Sequence, residues 1–356
     1  MRNRTAMLFA ILLAQSLVSN AEPLQPAQEI AAEVAAGQHA GFESFIMQVD
    51  GLVVGRAVDS TLAKRPPDLR SATKSITSLL VGIAIDKGAI PSVHSKVMDL
   101  LPTRRATFEK DPRKAAMTLE DLLTMRSGLD CNDWDPKSPG HEDKMYRQED
   151  WVAFWSEQKM RADPGKEFAY CTGNVVAIGE ILAAAVSMSA DAFALKQLFV
   201  PLEARRAEWR YYDGKRGVDT GGHLRLEPDD LLKIGELVLA RGTYKGTRIV
   251  SEAWIDAMTQ ERTRIPNANQ RYGYLWWLDH TKDPNLPQTR LWWAQGNGGS
   301  LLMVMPELRA VMVTTGTRFN RPDMLEPMFW LRDRLLPAMR PQLSPSPATG
   351  ELKRWQ

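Results

Sequence analysis

Two short apolar hairpins stand at opposite ends of this chain, and their separation constrains the fold more than any other feature. Phe45-Ile46-Met47-Gln48-Val49 and Leu52-Val53-Val54 flank Asp50-Gly51, a dipeptide suited to the left-handed backbone of a tight hairpin turn. Far along the chain, residues 301–305 and 311–315 are again strand-like and apolar around a turn at Pro306-Glu307. A lone hairpin is marginal in water, so each must find sheet partners, while most of what lies between reads as helix. The expected architecture is α/β of the α+β type. A central antiparallel sheet built from both chain ends carries flanking helices, and the middle of the chain forms a mainly helical lobe. No internal repeat and no clean linker divide residues 22–340, which are read as one domain.

Helices are predicted over 26–38, 71–87, 118–125, 150–159, 174–186, 227–241, 251–261 and 323–336. Gly88 terminates the second of these, Thr118 caps the third, and 174–186 is apolar enough to be buried. Residues 102–114 read as a surface loop and 272–278 as one aromatic strand. Residues 341–356 read as a fraying tail.

The chain has 356 residues, 44% of them hydrophobic, which suffices for a sizeable core. Lys plus Arg number 45 against 43 Asp plus Glu, so neither a nucleic-acid footprint nor a polybasic membrane patch is indicated and the expected partner is a small molecule or a peptide. Residues 1–21 read as a secretory signal, with Arg2 and Arg4 before an apolar run and Ser19-Asn20-Ala21 as a small-residue cleavage site. The run is too short to span a bilayer. Export to a periplasmic or extracellular space would let Cys131 and Cys171 pair, the alternative being two buried thiols.

The chemistry starts at Ser71, three residues before Lys74 at the head of a helix that follows Arg65-Pro66-Pro67. Residues at i and i+3 share a helix face, so Lys74 can take the Ser71 proton. The positive end of the helix favours an alkoxide and is expected to lower the lysine pKa. The same spacing recurs at Ser156 and Lys159. That copy lies inside a helix beside Trp155 and reads as chance. No Gly-x-Ser-x-Gly elbow or phosphate-binding Gly-Lys-Ser/Thr loop is present. The five histidines are scattered, signalling no metal site, and no cofactor is implied.

Four segments in order resemble the serine hydrolases of the β-lactamase and penicillin-binding superfamily, in particular the class C-like branch with its esterases, D-amino-acid peptidases and short-oligoamide hydrolases. These are Ser71-Ala72-Thr73-Lys74, the Leu122-Leu123 to Ser127-Gly128-Leu129 stretch, Pro164-Gly165 to Phe168 and Tyr170, and Gly296 to Gly299. The resemblance spans about residues 40–335 and implies a β-lactamase-like fold. It implies Ser71 as nucleophile, Lys74 as base, Tyr170 as proton relay, and the backbone amides of Ser71 and Asn297 as oxyanion hole, with Gly296 and Gly298 shaping the substrate edge.

Two departures narrow the substrate. Tyr-x-Asn becomes Tyr170-Cys171-Thr172, placing Thr172 where a substrate-facing carboxamide would stand, with Asn174 two residues on. The cation of the third motif is replaced by Gln295. Loss of that grip on a carboxylate points to a neutral ester or small amide. A β-lactamase or D-amino-acid peptidase, and a catalytically weak penicillin-recognising scaffold, stand as alternatives. Of the clustered tryptophans, Trp277 and Trp292 are expected in the core, and at least one of Trp134, Trp276 or Trp293 in an apolar substrate pocket. A Cys131–Cys171 bond would pin the Trp134 loop beside Tyr170.

Overall fold

Asp50 and Gly51 both adopt left-handed backbone angles, φ 53° and 79°, and so close the first hairpin as its sequence predicts. The computed structural model describes residues 24–339 except 216, 267, 283 and 285–288, so the expected leader and tail lie outside the described residues. The strands of the main sheet, numbered in chain order, are β1 Phe42–Val49, β2 Leu52–Val58, β3 Thr263–Arg264, β4 Arg271–Tyr272, β5 Trp277–His280, β6 Arg290–Gly296, β7 Ser300–Met305 and β8 Ala310–Gly316. Their spatial order is β2-β1-β8-β7-β6-β5-β4-β3. Every pairing is antiparallel. The two chain ends therefore meet at β1–β8, where Phe45 faces Thr314 and Met47 faces Met312.

Both sheet faces are covered, which explains why β7 is apolar at nearly every position. One face, carrying Phe45, Met47, Met303 and Met312, packs on α1 (Gln25–Ala35) and on helical turns between 322 and 339. The other face, carrying Ile46, Leu302, Val304 and Val313, packs on the helical lobe. At its centre is α2 (Thr73–Asp86), buried all round from Thr73 to Ala84. Lobe helices that bear on the site are α3 (Leu119–Leu123), α4 (Trp151–Glu157) and α5 (Thr172–Val186). Thr118 and Asp121 form a reciprocal capping box at α3. No single helix among the described residues is long and apolar enough to cross a membrane.

Two local expectations are corrected. Residues 102–114 form short helical segments, because Phe108 is fully buried and Lys114 reaches Ser156 O at 2.6 Å. Residues 272–278 are two strands with a turn between, since Leu275 takes a left-handed φ of 61°.

Candidate active site

Ser71 lies in a single helical turn, Arg70–Ala72, that runs directly into α2. The side chains of α2 lock this end in place: Ser75 Oγ donates to Leu275 O at 2.6 Å and Thr77 Oγ1 to Thr220 O at 2.7 Å. Lys74 is 1% exposed and donates from Nζ to Ser71 Oγ at 3.0 Å and to Gly221 O at 2.6 Å. Gly221 is required there, because a Cβ on it would lie 2.7 Å from the Thr172 methyl. Tyr170, from the segment that opens α5, hydrogen-bonds Ser71, and its ring centroid is 5.1 Å from Lys74 Nζ. Lys74, three residues on, and Tyr170, far along the chain, thus converge on the Ser71 hydroxyl. At the other copy of the spacing, Ser156 is buried and donates to Ala153 O, while Lys159 is exposed and makes no hydrogen bond to it.

Ser71 and Asn297, whose amides are expected to form the oxyanion hole, line the same cavity of about 420 Å³. Asn297 is held by Asn320, which accepts from Asn297 Nδ2 at 2.7 Å and donates its own amide to Asn297 Oδ1 at 2.7 Å. The glycines around Asn297 serve close approach. A Cβ on Gly296 would lie 2.0 Å from Leu69 O, and Gly298 has φ 99° with the Phe319 ring against it.

Electrostatics depart from the expected lowered lysine pKa. Burial alone would lower it, but Tyr170, Glu142, Asp133 and Asp219 surround the ammonium and hold its pKa above the ordinary value. Burial raises the Tyr170 phenol, against the pull of Lys74 and Ser71. Burial, reinforced by Glu142, pushes Asp133 up to about 6. Burial also works to raise Glu142, but Lys74 and the hydroxyls of Thr172 and Tyr146 outweigh it and hold that carboxyl low. The resting site therefore holds a cationic Lys74, a neutral Tyr170 and an ionised Glu142.

Thr172 is corrected: it is fully buried, does not line the cavity, and gives its hydroxyl to the cavity-lining Glu142 Oε2 at 2.8 Å. Asn174 is buried too and accepts from Trp155 Nε1 at 2.9 Å. The tryptophans are redistributed as well. Trp276 and Trp293 are 0% and 2% exposed and belong to the core, as does Trp292. Trp277, expected in the core, is part-exposed and stacks on Tyr170 at 5.9 Å. Trp134 is 52% exposed and stacks on Tyr170 at 5.4 Å. Cys131 and Cys171 are bonded, with Cα atoms 5.5 Å apart, and Asp133 N donates to Tyr170 O beside them at 2.7 Å.

Sequence reasoning missed Asp133, Glu142, Tyr146, Arg70, Arg210 and His223, all of which line the cavity. The one available signal was Gly221-Gly222 before His223, a glycine pair that invites close backbone approach.

Comparison with known proteins agrees with this fold. The model of the family described as Beta-lactamase matches residues 51–334. A curated 6-aminohexanoate-dimer hydrolase of Paenarthrobacter ureafaciens is 23% identical over 243 residues, 64% of this chain. The match spans 58% of that relative's length. A Bacillus anthracis protein provisionally assigned as a 6-aminohexanoate-dimer hydrolase superposes with TM-score 0.71 at 16% identity, covering 87% of this chain and 82% of that one. A family VIII carboxylesterase superposes with TM-score 0.65 at 18% identity, covering 89% and 98%.

Proposed function

The chain belongs to the beta-lactamase family, and from that premise we propose that it is an exported serine hydrolase cleaving an ester or a small amide through a Ser71 acyl-enzyme. The observation that carries this reading is Lys74 Nζ at 3.0 Å from Ser71 Oγ, with Tyr170 bonded to the same hydroxyl on a cavity wall.

In the reactive form Lys74 has lost its proton. Ser71 Oγ attacks the carbonyl carbon as its proton passes to Nζ. The oxyanion is held by the amides of Ser71 and Asn297, each donor contributing about 3 kcal/mol in sites of this kind. Collapse breaks the C–O or C–N bond, and the leaving group takes a proton from Tyr170, which Lys74 replenishes. Water then attacks the acyl-enzyme, its proton passing by way of Tyr170 to Lys74, and the tetrahedral adduct collapses to the acid as Lys74 returns that proton to Ser71 Oγ. The relatives named for 6-aminohexanoate-dimer and carboxylester hydrolysis support short amides and esters as the first substrates to try. Export is supported by the leader-like residues 1–21 and by the disulfide, a bond that persists in oxidising compartments.

The test is a hydrolysis panel of p-nitrophenyl esters, short oligoamides, D-amino-acid amides and a chromogenic cephalosporin, run on wild type and Ser71→Ala. Turnover of an ester or small amide that Ser71→Ala abolishes is expected. Cephalosporin turnover alone would favour the β-lactamase alternative, and no turnover at all the scaffold alternative.

A further inference from the structure

Arg70, the residue before the nucleophile, is in the left-handed region at φ 50°, which a long side chain adopts only when its surroundings fix it. Here they do. Its Nη1 donates to His223 Nε2 at 2.5 Å, and His223 Nδ1 lies 2.8 Å from Asp219 Oδ2. Arginine has no acceptor, so His223 Nε2 must accept and Nδ1 must carry the proton given to Asp219. The chain Asp219–His223–Arg70 thus has one consistent set of proton positions, anchored on an Asp219 that is fully buried. The guanidinium also sits 5.0 Å above the Phe319 ring.

Its charge is weakly countered. The nearest carboxylate, Asp68 Oδ2, is 3.7 Å away, and the other guanidinium N–H groups have no hydrogen-bond partner among the described residues. Two of the cavity's acids, Asp133 and Glu142, are already engaged, and the third, Asp143, is exposed and lies 3.8 Å from His141. Asp133 accepts the amides of Thr172 and Glu142 at 2.6 and 2.8 Å, and Glu142 accepts the Thr172 and Tyr146 hydroxyls while facing Lys74. Gln295, at the position of the missing third-motif cation, is turned to Trp293 Nε1 at 3.1 Å. Within the cavity that holds Ser71, two arginines among the described residues have open guanidinium groups, Arg210 over the Tyr146 and Trp151 rings and Arg70, and Arg70 is the one adjacent to the nucleophile and fixed by a side-chain hydrogen bond.

We propose that Arg70, positioned by His223 and Asp219, is an oxyanion-recognition residue, so that the preferred substrates carry a carboxylate near the scissile carbonyl. A guanidinium offers a planar fork to such a group. This proposal departs from the expectation of a neutral substrate drawn from the loss of a cation at residue 295, because Arg70 would supply the charge in its place. This inference rests on the hydrolase reading above.

The experiment compares acetate esters of 4-hydroxybenzoate and of methyl 4-hydroxybenzoate, which differ in one leaving-group carboxylate. In parallel, Ser71 is labelled by a fluorophosphonate with glutarate or dimethyl glutarate present. Wild type is expected to favour the carboxylate ester about tenfold or more in kcat/KM, and glutarate alone to slow labelling. Arg70→Gln should bring the ester ratio close to one and abolish protection, with Arg70→Lys and His223→Gln in between. Equal kcat/KM for the two wild-type esters, or a ratio untouched by Arg70→Gln, overturns the inference while leaving the hydrolase reading intact. If neither ester turns over, the hydrolase reading fails for these esters and glutarate protection alone decides the Arg70 site. No protection of wild type refutes it.

Discussion

Replacing Gly296 by alanine should disable the site from outside the cavity. A Cβ there would lie 2.0 Å from Leu69 O and 3.3 Å from Ala72 N, both in the backbone that carries Ser71. Neither atom is the end of a flexible side chain, so β6 and the Ser71 turn must part by about 1 Å for the methyl to fit. A displacement of that size between reacting groups costs roughly 10²-fold in rate, and overpacking of this kind costs about 1–3 kcal/mol in stability. Gly88→Ala is the control. Gly88, unlike Gly296, has a positive φ, 70°, and nothing within 4 Å of the added methyl, so that variant should lose about 1 kcal/mol from backbone strain and keep its rate. Stopped or continuous assays of kcat on the best ester, with chemical denaturation of both variants, read the two effects separately. A Gly296→Ala protein within threefold of wild-type kcat would refute the reasoning that this close approach positions the nucleophile.

Other expectations follow from the site's charges and packing. Because Lys74 acts unprotonated and Tyr170 and the acids around it outweigh burial and hold its pKa above the ordinary value, only a small fraction of Lys74 is competent at neutral pH, and kcat/KM should climb about tenfold per unit between pH 6 and 9. Glu142→Gln removes a charge that sustains the ammonium, so the climb should move to lower pH; an unmoved limb contradicts the account. Replacing Cys131 and Cys171 together by serine frees a 40-residue loop and should cost about 4 kcal/mol by loop entropy, read from denaturant midpoints, with a loss below about 1 kcal/mol counting against it. Trp134→Ala and Trp277→Ala, whose rings stack on Tyr170, should change selectivity between short and long acyl esters, whereas Trp276→Ala should cost about 3–5 kcal/mol in stability with selectivity intact.

Much of this was readable from the chain because it is local. The i, i+3 spacing of Ser71 and Lys74, the Thr118 cap and the Asp50-Gly51 turn depend on neighbours in sequence, and hairpins at both ends required a shared sheet. What escaped is set by tertiary contact. Leu275 in a left-handed turn changes which tryptophan faces Tyr170, a reversal that reading 272–278 as one strand conceals. Thr172 turns away because Glu142, thirty residues earlier, offers it a carboxylate. The lysine pKa reverses its expected direction because four acidic or phenolic groups converge on Nζ, and none of them was a candidate except Tyr170. His223 had only the preceding glycine pair to mark it, and its bond to Arg70 is what ties it to the site.

The central claim is that Ser71, and not another serine, is the nucleophile. Intact-protein mass spectrometry after fluorophosphonate treatment, followed by peptide mapping, tests it most directly. One adduct per chain on the peptide containing Ser71, absent from Ser71→Ala and slowed in Lys74→Ala, is the predicted result. Labelling that persists in Ser71→Ala, or maps to Ser127 or Ser156, would contradict it.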